Sequence, residues 1–101
     1  MSRHLPPDVR SAEILATAVK LAKKEGFRKL TRAGIAQTAK VSTGLVSRYF
    51  GSMDKMKDEV MKVAVRERIL PIVADGLADR HKVAVRAPED LKRQAAESLH
   101  A

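Results

Sequence analysis

Apolar residues in the first quarter of the chain recur every three to four positions, which is the spacing of one face of a helix. The pattern predicts a helix that begins at about Asp8 or Ser11 and ends at Glu25. Gly26 supports that end, because glycine is common just past a helix C-terminus. The apolar face comprises Ile14, Leu15, Ala18, Val19 and Ala22, and Lys20, Lys23 and Lys24 point away from it.

Two shorter helices are predicted next, over residues 32–39 and 43–49. Each follows a hydroxyl residue, Thr31 or Ser42, whose side chain can accept a hydrogen bond from the unpaired amides of the first turn. A tight turn joins them, and their apolar residues can bury together with the helices at a steep angle. These residues are Ile35, Ala36, Ala39, Val41, Val46 and Phe50. The polar side of the second helix is then left outward, as in a helix-turn-helix, whose second helix fits the major groove of DNA.

The remainder of the chain also has helical patterns. Ser52 can cap a fourth helix over residues 53–70, which Pro71 should end or kink because proline lacks an amide donor and crowds the preceding turn. A short helix over residues 72–79 follows and is weakened by Gly76. The expected buried side of the fourth helix comprises Met56, Val60, Val63, Ala64 and Ile69.

A last helix is predicted to start at Pro88, because proline suits a first helical position and two acidic residues follow it. Five or six helices are therefore expected in all. The pentapeptide KVAVR occurs at residues 62–66 and again at 82–86, where the second copy could be a short extended link. Two copies of five common residues do not indicate a repeat architecture.

The core must be aliphatic and rich in alanine, because the chain has three aromatic residues, Phe27, Tyr49 and Phe50. Such a core favours close packing of helices over a sheet. The predicted fold class is therefore all-α, with a helix-turn-helix in a three-helix unit and two or three further helices after it.

Residues 14–56 resemble the DNA-binding domain of the tetracycline-repressor (TetR) family of bacterial transcription regulators. The matching residues follow the family's order and spacing without a gap. They are Ile14, Leu15, Ala18, Leu21, Gly26, Phe27, Thr31, Ile35, Ala36, Ala39, Val41, Ser42, Gly44, Phe50, Ser52 and Met56. The resemblance implies a DNA-binding domain, which in this family usually precedes a large helical domain that binds a small molecule and dimerises.

Four positions depart from the family pattern. Lys40 stands where the family usually has a turn glycine, and Ser47 where it usually has a tyrosine. Tyr49 replaces a common histidine, and Met53 replaces a common lysine. A non-glycine residue can adopt a left-handed conformation at modest cost, so Lys40 should change the turn little. The departures affect the side chains expected to contact DNA bases more than they affect the turn.

The charge distribution supports DNA binding independently. The net charge is +8, from 20 basic and 12 acidic residues. Residues 1–57 hold 12 basic and 4 acidic residues, whereas residues 58–101 hold eight of each, so all of the excess lies on the half with the helix-turn-helix. A polyanion attracts such a surface, and counterion release makes the affinity fall steeply with salt.

Candidate DNA contacts lie at helix starts. Thr31 and Ser42 sit where amides and the helix dipole favour a phosphate, and they can equally act as plain caps. Thr43 and Gly44 open the recognition helix: Thr43 can contact a base edge or a phosphate, and Gly44 lets the backbone approach closely. Leu45 can touch a thymine methyl, or it can belong to the core.

Further candidates lie along the recognition helix and beyond it. Ser47 can hydrogen-bond a base edge, and Arg48 can bind guanine bidentately or hold a phosphate. The resemblance implies that Tyr49 and Lys55 contact phosphates.

Residues 1–7 are predicted to form a flexible basic arm. Arg3, His4 and Arg10 can enter an adjacent minor groove or follow the DNA backbone. The alternative is that the arm is simply disordered.

Residues 8–57 form the predicted DNA-binding domain, and residues 58–101 a short helical dimerisation region. Only 44 residues follow Lys57, too few to enclose a pocket of ~300–1,000 Å³, so no built-in small-molecule sensor is expected. A homodimer is expected because helix-turn-helix proteins generally read two half-sites; the alternative is that the same residues complete the monomer core. The expected interface residues are Ile69, Leu70, Ile72, Val73, Leu77, Leu91 and Leu99.

Other classes of protein fit the sequence poorly. The chain has no cysteine, which excludes disulfides and thiolate metal sites. No apolar run reaches the ~18–20 residues of a membrane helix, and residues 1–7 lack the apolar centre of a signal peptide, so a cytoplasmic location is expected.

No enzyme activity, metal or cofactor is expected. The histidines at positions 4, 81 and 100 are far apart and lack the spacing of metal ligands. Asp54, Asp58 and Glu59 cluster near the start of the fourth helix, where the helix dipole accounts for acidic residues without acid–base catalysis.

The predicted function is therefore a sequence-specific transcriptional repressor that binds an inverted-repeat operator as a homodimer. Its small size suits a plasmid or phage control circuit. One alternative is a protein-interaction module, such as an antitoxin or a corepressor, that uses the DNA-binding fold as a scaffold. The other is an architectural protein that binds DNA without sequence preference.

Overall fold

Helices make up every regular element of residues 7–99, the part of the chain that the computed structural model describes. A short 3-10 turn, Phe27–Lys29, follows the first of them. The seven α-helices of this range are α1 (Pro7–Glu25), α2 (Arg32–Ala39), α3 (Thr43–Phe50), α4 (Met53–Glu67), α5 (Leu70–Ala78), α6 (Lys82–Val85) and α7 (Glu89–Ser98). The predicted all-α class is confirmed. Within this range, none of the helices has both the length and the apolar character to cross a lipid bilayer.

Hydroxyl side chains begin three successive helices, as predicted. Thr31 Oγ1 accepts a hydrogen bond at 3.0 Å from the amide three residues along the chain, at the start of α2. Ser42 Oγ does the same at 3.1 Å for α3, and Ser52 Oγ at 3.2 Å for α4. Each cap satisfies an amide that the helix itself leaves unpaired. The starts of α2, α3 and α4 are therefore encoded locally.

The turn between α2 and α3 takes a left-handed backbone conformation that favours glycine, although Lys40 occupies the position. Lys40 has φ 61° and ψ 44°, in the left-handed region. Its amide bonds to carbonyl groups at the end of α2, and the Val41 amide bonds to the Ala36 carbonyl at 3.0 Å. These bonds satisfy carbonyl groups at the end of the helix, so the turn forms without glycine.

One hydrophobic core runs through α1 to α7 and confirms the predicted inner faces of the first four helices. Leu15, Ala39, Val41, Phe50 and Ile69 are partly buried and pack against it. The predicted core residues that are buried are Ile14, Ala18, Val19, Ala22, Ile35, Ala36, Val46, Met56, Val60, Val63 and Ala64.

The position of Pro71 differs from the prediction. The fourth helix ends at Glu67 because Arg68 takes a left-handed conformation with φ 56°. Pro71 lies in the first turn of α5, which begins at Leu70. The first turn needs no amide donor, so proline starts the fifth helix here instead of ending the fourth.

The second KVAVR copy is helical, so its interpretation as an extended link is wrong. Residues Lys82–Val85 form α6, which also raises the number of helices above the five or six expected. His81 Nδ1 accepts a hydrogen bond from the Val83 amide at 3.2 Å and caps this helix. Histidine is not among the residues that usually announce a helix start, which is why the sequence did not indicate α6.

Gly76 is required by packing between helices. A Cβ atom at this position would lie 2.8 Å from the Ala84 Cβ and would clash with the Met61 Cε. Glycine lowers the helical preference of α5, as predicted, but it allows α4, α5 and α6 to approach closely.

The predicted boundary between residues 57 and 58 falls inside α4. Two contacts also join the turn after α1 to α5. The Phe27 amide donates a hydrogen bond to Asp75 Oδ2 at 3.2 Å, and Arg28 forms an ion pair with Asp79 at 2.5 Å. The helices after residue 57 therefore pack directly onto the three-helix unit.

The predicted dimer interface needs correction at Ile72, Val73 and Leu91, whose side chains are fully buried within the chain. Helices α5 and α7 pack against each other, so these three residues complete the monomer core and have no surface for a second copy. Ile69, Leu70 and Leu77 are partly buried, and Leu99 is 61% exposed. An interface through these four residues stays a prediction.

Candidate nucleic-acid interface

The recognition helix α3 presents a polar face to solvent. Thr43 and Gly44 in its first turn are exposed, Arg48 is exposed, and Ser47 is partly exposed. Val46 is 1% exposed and anchors the opposite face in the core. The predicted orientation of α3 is confirmed to this extent, and its outward side carries groups that can donate to base edges or phosphates.

Arg48 is available to a ligand. Among residues 7–99 its guanidinium forms no ion pair and no side-chain hydrogen bond. A guanidinium has five N–H donors in a planar fork that fits two acceptors at once, as guanine or a phosphate offers. The arrangement supports either of the two predicted roles.

The two capping hydroxyls belong to exposed residues at the starts of α2 and α3. Thr31 and Ser42 each accept one amide hydrogen bond, at the starts of α2 and α3. A hydroxyl that accepts in this way still has its own hydrogen to donate. The predicted roles as caps and as phosphate contacts are therefore compatible, and the first is confirmed.

Leu45 is partly buried and packs against the hydrophobic core. This packing supports the alternative that Leu45 belongs to the core. Contact with a thymine methyl would involve only its exposed part and stays a prediction.

Tyr49 and Lys55 come together at an open groove between α1, α3 and α4. Tyr49 is partly buried against the core, and Lys55 is exposed. The Lys55 side chain lies over the turn at Gly51, with its Cδ 3.4 Å from where a Cβ of residue 51 would be. The other lining residues are Ser11, Phe50, Asp58, Glu59 and Lys62.

The predicted basic arm is only partly described. Arg3 and His4 lie outside the described residues. Arg10 is on α1, where it is partly buried and lines a cleft with Lys40 and Val41 of the helix-turn-helix turn. The structure thus places Arg10 beside the turn, and its contact with DNA stays a prediction.

The carboxylates near the start of α4 have separate roles, which the sequence did not indicate. Asp58 Oδ1 lies 2.9 Å from His81 Nε2, and Asp58 Oδ2 lies 3.2 Å from Lys82 Nζ. Glu59 pairs with Lys62 at 3.1 Å. The helix-dipole explanation therefore fits Asp54, in the first turn, whereas Asp58 joins α4 to the start of α6.

His81 makes tertiary contacts that the sequence did not indicate. In addition to the contact with Asp58, its ring meets the Phe27 ring edge-on, with 5.7 Å between centroids. Lys57 Nζ lies over the same phenylalanine, 5.5 Å from the ring centroid. These contacts join residues far apart in the chain, and no local signal marks them.

Basic side chains in the second half of the chain are mostly neutralised. Of the eight in residues 58–101, five form ion pairs with carboxylates of the same half. Arg68 also lowers the pKa of Asp90 below its ordinary value by a hydrogen bond to the carboxylate. The pairs are Lys62 with Glu59, Arg66 with Glu67, Arg68 with Asp90, Lys82 with Asp58, and Lys92 with Glu89.

Basic side chains before residue 58 have a different environment. Arg28 pairs with Asp79 of α5. Nine others form no ion pair with any residue of the range 7–99, so no carboxylate in direct contact offsets their charge. They are Lys20, Lys23, Lys24, Lys29, Arg32, Lys40, Arg48, Lys55 and Lys57.

Comparison with known proteins agrees with this geometry. Residues 14–60 match the sequence model of a family described as bacterial regulatory proteins, tetR family. The chain is also similar to the HTH-type transcriptional regulator BetI of Burkholderia thailandensis and of Burkholderia cenocepacia, at 32% identity over 60 residues in each case. These matches cover 59% of this chain and 31% of each relative, so the chain spans about a third of the length of the relatives it matches.

No solved structure gives a significant match. The family match covers α1 from Ile14 onward, α2, α3 and the first half of α4, which are the elements that build and support the exposed face of the recognition helix. Residues 14–60 are therefore similar to the tetR family of bacterial regulatory proteins, and this segment carries the helix-turn-helix described above.

Proposed function

We propose that the protein is a sequence-specific transcriptional repressor that binds an inverted-repeat operator as a homodimer through residues 43–49. The observation that carries the proposal is the exposed polar face of α3, with an unpaired Arg48, in the segment that matches the TetR family. A repressor of this kind acts by occupying the promoter, which excludes RNA polymerase.

A homodimer suits the small size of the reading surface. A single α3 reaches only a few base pairs, whereas two copies related by a twofold axis read half-sites about 34–36 Å apart. Leu99 is the largest exposed apolar side chain after residue 57 in the described range, and Ile69, Leu70 and Leu77 are partly exposed. We propose that the second copy contacts these residues.

The other parts of the proposal follow from the same assignment. A protein that acts by occupying DNA needs no catalytic residue and works in the bacterial cytoplasm, where the chromosome lies. Regulation is then by the concentration of the repressor or by a partner protein. A plasmid or phage origin, and the lack of a small-molecule sensor in these 101 residues, stay predictions.

Selection of bound duplexes from a random library tests the proposal directly. We expect an inverted repeat to be enriched, with an affinity at least ~10³ above that for random duplex at moderate salt. Retention of no duplex at low salt would overturn the proposal. Enrichment of no sequence, with tight binding to all, would support the architectural alternative.

The dimer is tested by measuring the mass of the free protein and of its complex by analytical ultracentrifugation. We expect two chains per selected duplex, and enriched half-sites related by twofold symmetry. A single chain on an asymmetric site would contradict the homodimer while leaving DNA binding by α3 intact.

A further inference from the structure

Three lysines share one exposed face in the second half of α1. Lys20, Lys23 and Lys24, here called the α1 lysine face, are spaced by three and four residues and therefore lie within one turn of each other. All three are exposed, and none forms an ion pair with a residue of the range 7–99.

The lysines after residue 57 have a different environment from this face. Lys62, Lys82 and Lys92 each lie within 3.2 Å of a carboxylate oxygen. The α1 lysine face has no such partner, although Glu25 follows it directly in the sequence. Like charges one turn apart destabilise a helix by about 0.2–0.5 kcal/mol per pair, so the cluster opposes helix formation in the free protein.

The helix dipole explains only part of the face. Lys23 and Lys24 lie in the last turn of α1, where the partial negative charge of the helix end favours a cation. Lys20 lies one turn earlier, and the dipole effect falls off within the last turn. Helix stability alone therefore does not account for all three charges.

The face lies at the edge of the helix-turn-helix. Leu21, which lies between these lysines in the sequence, has its Cδ2 3.7 Å from the position that a Cβ on Gly34 would take, in the first turn of α2. Thr31 caps that turn. Arg32 opens α2, and its Nε atom is buried without a hydrogen-bond partner in the described residues. Positive charge is thus present both on this part of α1 and at the start of the helix against which Leu21 packs.

We propose that the α1 lysine face binds backbone phosphates of duplex DNA beside the sequence that α3 reads. The inference rests on the proposed DNA binding and extends the contact surface onto a helix outside the helix-turn-helix. Lys20 and Lys24 are about 6 Å apart along the helix axis, and each DNA strand carries one charge per ~3.4 Å of its axis. Two to three phosphates therefore match the face in spacing and in sign.

Phosphate contacts of this kind raise affinity without reading bases. The α1 lysine face should therefore strengthen binding to every duplex equally and leave the preferred sequence unchanged. The salt dependence of binding reports such contacts, because each phosphate neutralised steepens the slope of log affinity against log salt by about 0.9.

The test compares two triple variants of the full chain that have the same net charge. One replaces the whole α1 lysine face with glutamine. The control replaces Arg80, Arg86 and Arg93, which are exposed and form no ion pair among the described residues, with glutamine. Affinity for one duplex of the selected sequence and one of random sequence is measured from about 50 to 200 mM salt.

For the α1 variant we expect a salt slope lower than that of the wild type by about 1.8–2.7, corresponding to two or three phosphates. The ratio of wild-type affinity to variant affinity should then fall about 10- to 40-fold between 50 and 200 mM salt. The control should keep nearly the wild-type slope, and all three proteins should keep the same ratio of selected to random affinity.

Equal salt slopes for the two triple variants would overturn the proposal, because the loss of affinity would then reflect net charge alone. An acidic protein would in that case be the better candidate ligand of the α1 lysine face. Loss of the preferred sequence in the α1 variant would also overturn the proposal. If the wild type binds both duplexes without preference, the proposed repressor fails while the lysine contact can still hold. If it binds neither, both fail. Thermal unfolding shows whether the α1 triple variant is folded. If it is not folded, the single variant Lys20→Gln is used in its place and should lower the steepness of the salt slope by about 0.9.

Discussion

The two halves of the chain use their basic residues differently. After residue 57, five of the eight cations lie next to a carboxylate. Two of these pairs join different helices: Lys82 at the start of α6 with Asp58 of α4, and Arg68 at the end of α4 with Asp90 of α7 at 2.7 Å. Before residue 58, nine cations have no such partner among the described residues. Basic side chains without a carboxylate partner can attract an external polyanion, whereas those in ion pairs already contact a carboxylate of the same chain.

The halves also differ in how their helices begin. Thr31, Ser42 and Ser52 cap α2, α3 and α4 through their own side chains. In the second half only the short helix α6 has a side-chain cap, from the His81 ring, whereas α5 and α7 follow Ile69 and Pro88, whose side chains make no cap hydrogen bond. Short helices are unstable in isolation, so α5 and α7 depend on packing against the rest of the core.

The largest expected effect tests whether the two halves share one core. Ile35→Asp places an unpaired charge at a fully buried position of α2 and should destabilise the fold by more than ~4 kcal/mol. Because one hydrophobic core runs through α1 to α7, helical signal from both halves should be lost together. Far-UV circular dichroism during thermal unfolding measures this.

Ala33→Asp is the matched control, since residue 33 is exposed on the same helix. It should change the unfolding temperature little. A cooperative transition in the Ile35→Asp variant near the wild-type temperature would show that the assigned inward face of α2 is wrong.

A second substitution disturbs only the packing of the later helices. Gly76→Ala places a methyl group against Met61 and Ala84 and should lower the free energy of unfolding by about 1–3 kcal/mol. Urea titration followed by circular dichroism provides the measurement.

Gly44→Ala is the control for helix propensity, because the nearest atom to its Cβ would be the Ser42 Oγ at 3.8 Å. It should stabilise α3 by up to ~1 kcal/mol. Stabilisation by alanine at both positions would mean that α4, α5 and α6 do not approach closely at residue 76.

Arg48→Ala tests the exposed face of α3 without affecting the core. It should weaken binding to the selected duplex by about 1–3 kcal/mol and relax one base position if Arg48 reads guanine. If Arg48 holds a phosphate instead, binding to all duplexes should weaken equally and the salt slope should fall by about 0.9. Fluorescence anisotropy titration of selected and random duplexes distinguishes these two roles of Arg48.

Arg93→Ala serves as the control, because Arg93 is an exposed arginine after residue 57 with no ion pair in the described residues. It should bind DNA like the wild type. Unchanged binding by Arg48→Ala, or an equal loss in both variants, would remove Arg48 from the interface.

The smallest expected effect concerns a paired charge in the second half. The hydrogen bond from Arg68 lowers the pKa of Asp90, so the ionised carboxylate stabilises the fold. This contribution is present at neutral pH, above the pKa of Asp90 in the unfolded chain, and is lost as the pH falls through its lower pKa in the folded chain. Asp90→Asn should therefore unfold at a slightly lower temperature at neutral pH.

The difference from the wild type should vanish at acidic pH, where Asp90 itself is protonated. Glu97→Gln provides the comparison, since Glu97 lies on the same helix, is exposed and has no ion pair within residues 7–99. It should cause no loss at neutral pH. A deficit of Asp90→Asn that persisted unchanged at low pH would exclude the charge as its cause.

Local patterns were sufficient to predict the elements of the first half. The spacing of apolar residues identified α1 to α4, and hydroxyls at positions 31, 42 and 52 identified three helix starts to the residue. These features depend on hydrogen bonds and contacts between residues at most four apart, which the sequence displays directly. The outward face of α3 follows from the same helical spacing of its apolar residues.

Contacts between distant residues decided the rest. Asp58 meets His81 across 23 positions, the Phe27 amide meets Asp75 across 48, and Gly76 is needed only because Met61 and Ala84 pack against it. The same packing buried Ile72, Val73 and Leu91 inside the monomer, where the sequence alone allowed either a core or a dimer interface. An apolar stripe specifies that a helix face is covered, but the covering element is set by tertiary packing, since the free energy depends on the area buried and not on which helix buries it.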